Sequence, residues 1–321
     1  MKIVLTDAKT VTQGDLSLEP LKEFGELEIY GLSSYEQIAE RIKDADAVIC
    51  NKTPLNSETL RLAKNLKLIL LWATGYNNID TDYCNKQGIT VCNAGSYSTN
   101  AVAQHTFALI LELINNVGNY NAFVQQGNWQ KSDTFSPFAF PLNELAGKTL
   151  GIYGYGTIGK AVAKIANAFN MKVLAYSRSK RSDEYAEYAD FDKLLENSDI
   201  ISVHCPLNKE SLHIFDKTAF SKMKKGSYFI NTARGGVMVE EDLKNALENR
   251  QLAGAGIDVL EEEPMAKDCK IIGIKNCIIT PHVAWAPMET RIRLRGIVCH
   301  NIRSFLDGAP QNVVNKPLHQ E

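Results

Sequence analysis

The sequence predicts an α/β protein of two domains, each a doubly wound parallel sheet. Three observations carry that prediction. Short β-branched and aliphatic runs alternate with segments of helical periodicity along the chain, the pattern of strands joined by helical crossovers. At 321 residues the chain exceeds the usual size of one hydrophobic core, so two domains of roughly 100–200 residues are expected. The strand runs also fall into two groups, on either side of a long helical stretch that has no strand signal.

In the first group the strands are expected at Lys2–Thr6, Leu27–Tyr30, Ala47–Cys50, Leu66–Trp72 and Thr90–Cys92, with helices such as Tyr35–Lys43 and Ser57–Ala63 between them. From Thr99 to about Gly127, residues Val102, Phe107, Leu109, Ile110, Leu113 and Ile114 recur at helical spacing, which predicts one long helix and then a second. An aromatic, Pro-containing loop follows at Trp129–Pro141. Its Phe135, Phe138 and Phe140 suit either a pocket or a subunit interface. Six further strands are expected at Leu150–Tyr153, Lys172–Tyr176, Ile200–His204, Tyr228–Asn231, Gly256–Val259 and Cys277–Ile279. A helical pattern over Pro287–Leu306 and a polar tail close the chain.

Composition narrows the function classes. Apolar residues at 45% and charged residues at 22% provide material for two cores. Lys and Arg total 35 against 37 Asp and Glu, a net charge of −2, so no global field draws the chain to nucleic acid or anionic lipid. The longest strongly apolar run, Leu66–Ala73, falls far short of the roughly 20 residues that span a bilayer. The N-terminus turns polar at Thr6-Asp7, too early for a signal peptide, and a cytoplasmic address is expected. Seven cysteines, an odd number without a CxxC pair, give no support to a metal site or a disulfide framework.

The run Leu150-Gly151-Ile152-Tyr153-Gly154-Tyr155-Gly156-Thr157-Ile158-Gly159 sets GxGxxG directly after a strand and at the start of a helix, Lys160–Phe169. Such glycines allow a tight turn, a close backbone approach to pyrophosphate and close helix packing, and the helix N-terminus offers free N–H donors. Strand, turn, helix and next strand in succession favour dinucleotide binding over a merely structural turn. Gly154, Gly156 and Gly159, with Thr157 and Ile158 between them, are the candidate phosphate-binding residues. The second strand of such a unit ordinarily ends in an acid that binds the ribose hydroxyls. Here it ends Ala175-Tyr176-Ser177-Arg178-Ser179-Lys180-Arg181. Ser177 stands where Asp is expected, and the cations after it can pair with a 2′-phosphate, Arg178 through its planar fork. NADP is therefore favoured slightly over NAD, with a solvated basic turn as the alternative.

Three later segments end strands with ionisable residues. Asn231–Gly236 carries Arg234, Gly256–Pro264 carries Asp258 and Glu263, and Thr280–Trp285 carries His282. Open parallel sheets bind ligands at the carboxyl ends of their strands, so these segments should meet at one site. At this point the sequence resembles the D-isomer-specific 2-hydroxyacid dehydrogenases, over nearly the whole chain. The matching stretches are Ala73–Asp80, Val102-Ala103-Gln104, Glu144–Thr149, the glycine turn, His204-Cys205-Pro206-Leu207 and the three strand-end segments. Ser98–Thr106 and His282–Ala286 look most like the glycerate dehydrogenase or hydroxypyruvate reductase branch.

The resemblance implies a flavodoxin-like substrate domain over 1–98 and 287–321 and a Rossmann cofactor domain over 99–286. It implies NAD(P)-dependent reduction of a small 2-oxo acid to the D-2-hydroxy acid, hydroxypyruvate or glyoxylate before others. Reducing a carbonyl needs a proton for its oxygen, and histidine is well suited to that transfer near neutral pH. His282 is the candidate acid. Glu263 would hydrogen-bond its ring and fix the tautomer, and Arg234 would grip the substrate and stabilise the developing alkoxide. The amides of Ala73, Thr74 and Gly75 match the family loop that binds the carboxylate from the other domain, so domain closure is expected to complete the site. Trp285, at a position small in many members, suits either contact with the C3 substituent or structural packing.

Further cofactor-lining positions are implied at Thr99, at Ser177, Arg178 and Ser179, and at His204, Pro206 and Ser211. Thr232 and Ala233 beside Arg234, Asp258 at the nicotinamide, and Ala284 beside His282 complete the set. Homodimerisation through Thr99–Gly127 is implied as well. Gln104 replaces a glutamate frequent in the family. The other readings are a pyruvate-like or aryl 2-oxo acid as substrate, and a non-enzymatic dinucleotide-sensing, corepressor-like protein of the same fold. Formate dehydrogenase pairs its histidine with glutamine, and Glu263 argues against it.

Overall fold

A computed structural model describes residues 1–178 and 184–317. The chain divides into two compact units, Met1–Ser98 with Ala286–Glu321, and Thr99–Trp285.

In the first unit, β1 (Lys2–Leu5), β2 (Glu26–Ile29), β3 (Ala47–Cys50), β4 (Leu68–Leu71) and β5 (Thr90–Cys92) form a parallel sheet in the order β2-β1-β3-β4-β5. Every residue of β3 and β4 is buried, which is why both read as unbroken aliphatic runs. Helices α1 (Tyr35–Ile42), α2 (Ser57–Leu60) and α3 (Thr81–Gln87) connect the strands. Asp80 caps α3 by accepting from the Tyr83 N–H at 2.9 Å, and Gly88 ends it in the left-handed conformation.

The second unit opens with α4 (Thr99–Asn115) and α5 (Val117–Gln125). Then come β6 (Thr149–Tyr153), α6 (Thr157–Ala168), β7 (Lys172–Tyr176), β8 (Glu187–Tyr188), α7 (Phe191–Asn197), β9 (Ile200–Val203), α8 (Lys217–Lys222), β10 (Ser227–Asn231), α9 (Glu240–Glu248), β11 (Leu252–Ile257) and β12 (Cys277–Ile279). The parallel sheet runs β12-β11-β10-β9-β6-β7-β8. Phe107, Leu109 and Ile110 of α4 join Val162, Ala163 and Ala166 of α6 in one core cluster, while Leu194, Phe220, Leu243 and Leu247 of α7 to α9 join the other. The sheet is thus doubly wound. The last helix, α10 (Met288–Leu306), belongs to the first unit, where Arg291 grips the Asp15 carboxylate with both Nη atoms at 2.9 and 2.7 Å.

Two elements depart from the expectation. The short strand β8, which pairs Leu174 with Glu187, is a seventh strand that two residues cannot announce by alternation. β11 starts at Leu252 rather than Gly256 because Leu252-Ala253-Gly254-Ala255-Gly256 lacks β-branched residues. Its glycines serve packing instead: a Cβ on Gly254 would lie 2.9 Å from Leu113 Cδ2, and one on Gly256 would lie 2.9 Å from Leu109 Cβ. Helix α4 rests directly on that backbone.

Candidate active site

The strand order of the second sheet reverses at β6 and β9, where a crevice opens at the carboxyl ends of such sheets. Gly154 occupies that place. Its φ is +99°, and a Cβ on it would stand 2.5 Å from the Cys205 nitrogen. Its N–H donates to the Tyr176 carbonyl at 2.9 Å, so the ends of β6, β7 and β9 converge around it. A Cβ on Gly156 would meet nothing within 4 Å, which leaves room in front of α6, and a Cβ on Gly159 would lie 2.5 Å from the Gly154 oxygen. The amides of Thr157, Ile158 and Gly159 have no acceptor among the described residues. Open space facing three free N–H groups at a helix N-terminus fits a dinucleotide pyrophosphate.

Ser177 and Arg178 follow β7, and Arg178 Nη1 lies 3.1 Å from Glu210 Oε2. Ser179, Lys180 and Arg181 lie outside the described residues. On the β9 side, Ser211 Oγ donates to the Pro206 carbonyl at 2.7 Å and accepts from the Asn208 N–H at 2.8 Å, so Ser211 closes the turn that presents Pro206. His204 shares a 2.8 Å hydrogen bond with Ser202 Oγ through Nε2, and its Nδ1 is shut off from solvent without a partner among the described residues. Burial pushes its pKa down to about 3, so the ring is neutral.

Sheet order makes β10, β11 and β12 neighbours, and their ends carry Arg234, Glu263 and His282. His282 Nδ1 lies 2.7 Å from Glu263 Oε2, and Glu263 Oε1 accepts the Leu260 N–H at 3.0 Å. Gly235 packs the Arg234 loop against the loop after β11 so tightly that a Cβ would lie 1.8 Å from the Leu260 carbonyl carbon. Asn231 shapes the Arg234 turn, accepting from the Ala233 N–H at 3.0 Å and donating to the Arg234 carbonyl at 2.9 Å. Arg234 is exposed, with Nη1 donating to the Ala233 carbonyl at 2.7 Å.

Asp258 is buried, and its carboxylate accepts from Thr280 Oγ1 at 2.5 Å and from the amides of Val283 and Ala284 at 2.9 Å each. Its carbonyl accepts the His282 N–H at 2.8 Å. Since the Thr280 proton goes to Asp258, Thr280 Oγ1 must accept from His105 Nε2, 3.0 Å away on α4. Next to it, Thr106 donates to the Val102 carbonyl and so accepts from Thr232 Oγ1 at 3.1 Å. Two adjacent residues of α4 thus hook the loops that carry His282 and Arg234. Sequence reasoning passed over His105, Thr106, Thr280 and Asn231, because ordinary polar residues carry no spacing signal for such hooks.

In the first unit, Ala73, Thr74 and Gly75 directly follow the end of β4. Thr74 Oγ1 donates to the Gly95 carbonyl, and Asn93 Nδ2 donates to the Thr74 carbonyl at 2.8 Å. Their own three amides have no acceptor among the described residues. No group of three or more His, Cys, Asp or Glu is placed to hold a metal ion among the described residues, and no helix among them is long and apolar enough to cross a membrane.

A glycine cradle at the reversal of a doubly wound sheet, with a histidine–carboxylate pair and an arginine on adjacent strand ends, defines a dinucleotide-dependent oxidoreductase. The family model described as D-isomer specific 2-hydroxyacid dehydrogenase, NAD binding domain, matches residues 107–284. The chain belongs to this family of NAD(P)-dependent enzymes. It is 43% identical over 322 residues to a hydroxypyruvate reductase of Blautia hydrogenotrophica, covering 98% of this chain and 100% of that one. It is 39% identical over 282 residues to a glycerate dehydrogenase of Methylorubrum extorquens, covering 87% and 88%. The crystal structure of D-lactate dehydrogenase from Aquifex aeolicus, complexed with NAD and lactic acid, matches with a TM-score of 0.85 at 34% identity over 98% of this chain and 100% of that one.

Proposed function

We propose that this enzyme reduces hydroxypyruvate to D-glycerate and glyoxylate to glycolate, with NADPH favoured slightly over NADH and His282 as the proton donor. The observation that carries the chemistry is the 2.7 Å contact between His282 Nδ1 and Glu263 Oε2. With Nδ1–H committed to Glu263, Nε2 is the ring atom left for the substrate. In reduction the imidazolium donates its Nε2 proton to the carbonyl oxygen, and in the reverse direction the neutral ring takes the hydroxyl proton back. When bound, a reduced nicotinamide would supply the hydride. Arg234 orients the carboxylate with its fork and stabilises the oxygen as negative charge develops. Carboxylate binding by the amides of Ala73, Thr74 and Gly75, which have no acceptor among the described residues, and a limit on the C3 substituent set by Trp285, belong to the same reading. The names of the two relatives support hydroxypyruvate and D-glycerate as the substrate pair, and we place the enzyme in the cytoplasm.

His282→Ala should lower kcat by about 10²–10⁴, the usual worth of a general acid, while NADPH still binds in a fluorescence titration. Full turnover by that variant would refute the assignment. A panel of hydroxypyruvate, glyoxylate, pyruvate and phenylpyruvate, each assayed with NADPH and NADH, tests the substrate. A higher kcat/KM for pyruvate or phenylpyruvate than for hydroxypyruvate would overturn it.

A further inference from the structure

The ribose end of the dinucleotide site holds a charged group that the glycine turn and its flanking motifs leave unexplained. Ser177 stands where an acid commonly meets the ribose hydroxyls, and Arg178 follows it. Gly154 brings two strand ends together: its N–H bonds to the Tyr176 carbonyl at 2.9 Å, and a Cβ on it would lie 2.5 Å from the Cys205 nitrogen. Residues after β7 and β9 therefore flank the same turn. Between them Arg178 Nη1 meets Glu210 Oε2 at 3.1 Å, with the two side chains 71% and 69% exposed. Glu210 is held there by its own turn, its N–H donating to Asn208 Oδ1 at 2.9 Å.

We propose that Glu210 is the cofactor-discriminating residue of this enzyme: from the loop after β9 its carboxylate supplies the acid missing at Ser177 and competes with a 2′-phosphate for Arg178. A ribose 2′-hydroxyl can donate to a carboxylate, whereas a phosphate at that position is repelled by it and must displace it from the guanidinium. Arg178 and Glu210 thus pull in opposite directions, and the preference for NADP(H) stays slight. An ion pair this exposed contributes little to folding, so the discrimination is separable from stability. The proposal rests on the reading of the chain as an NAD(P)-dependent dehydrogenase that seats the adenosine ribose beside Ser177.

Calorimetric titration of the full chain with 2′,5′-ADP and with 5′-AMP tests it without any turnover. Glu210→Gln should tighten 2′,5′-ADP at least fivefold and leave 5′-AMP unchanged or weaker, and Arg178→Ala should weaken 2′,5′-ADP by a similar factor. Both differences should shrink in 0.5 M KCl, where charges at the surface are screened. If Arg178→Ala weakens 2′,5′-ADP while Glu210→Gln leaves it unchanged, the role of Glu210 is refuted and the Arg178 reading stands. If Arg178→Ala has no effect, both fall. If the unaltered chain binds neither fragment nor NADPH, the dinucleotide reading itself is wrong.

Discussion

His282 is held by its backbone as much as by Glu263. Its φ of +54° places a non-glycine residue in the left-handed region, a sparsely populated conformation that persists only where surrounding bonds enforce it. Here the enforcement comes from Asp258, whose carbonyl takes the His282 N–H and whose carboxylate takes the next two amides. Asp258→Asn would set a side-chain N–H₂ against backbone N–H donors. It should cost about 3 kcal/mol or more, since each buried hydrogen bond to a charged group contributes roughly 1.5–3 kcal/mol. The shift in the urea midpoint measures this, and an unchanged midpoint would contradict it. His204 makes a pH prediction. Burial lowers its pKa to about 3 in the folded chain, against about 6.5 for an unperturbed histidine. Between those values the unfolded chain binds the extra proton, so this contribution is complete above about pH 6.5 and is lost as pH falls toward 3. The loss should reach about 2 kcal/mol between pH 7 and pH 5. His204→Asn should flatten that part of the acid limb, and an unchanged dependence of the urea midpoint on pH would contradict the neutral ring.

At the scale of elements, α4 braces the loops that carry Arg234 and His282. It lies on the glycines of β11 and holds Thr280 and Thr232 through His105 and Thr106. His105→Leu removes the donor to Thr280 and should lower kcat by about tenfold with the Kd for NADPH unchanged, a misplacement effect of the kind that remote changes produce. His105→Gln keeps a donor and should recover most of the loss. A kcat for His105→Leu equal to that of the unaltered chain would remove α4 from the account. The long runs such as β3 and β4 were legible in the sequence because burial on both faces leaves an unbroken aliphatic signal. β8 and the start of β11 were not. In the first, two residues hold no period, and in the second, glycines chosen for contact with Leu109 and Leu113 erase the β-branched signal.

At the scale of the whole molecule, α5 has no buried residue, and its Val117 and Val124 lie open to solvent. The loop that follows exposes Phe135 and Phe138 at 90% and 85%, whereas Phe140 packs edge-on against Tyr120 and Phe123. Apolar surface of this kind marks an interaction site, and we propose that a second copy of the chain covers it. Light scattering should give twice the 35.7 kDa of one chain, and Phe135→Ser with Phe138→Ser should shift the mass toward one chain. A monomer at micromolar concentration would refute the dimer.

By itself the sequence determined the family and the α/β class, and it singled out the glycine turn and Arg234, Glu263 and His282 as candidates. Those signals are local: a strand, a turn and a charged strand end lie within ten or so residues of one another, and their order along the chain is specific. Only the tertiary structure decided which groups brace the loops around them. Glu210 reaches Arg178 across 32 positions, and His105 reaches Thr280 across 175. Partners so distant in sequence leave no periodicity to read, because they are chosen by the fold, which brings the ends of β7 and β9 to one turn and lays α4 on β11, the neighbour of β12.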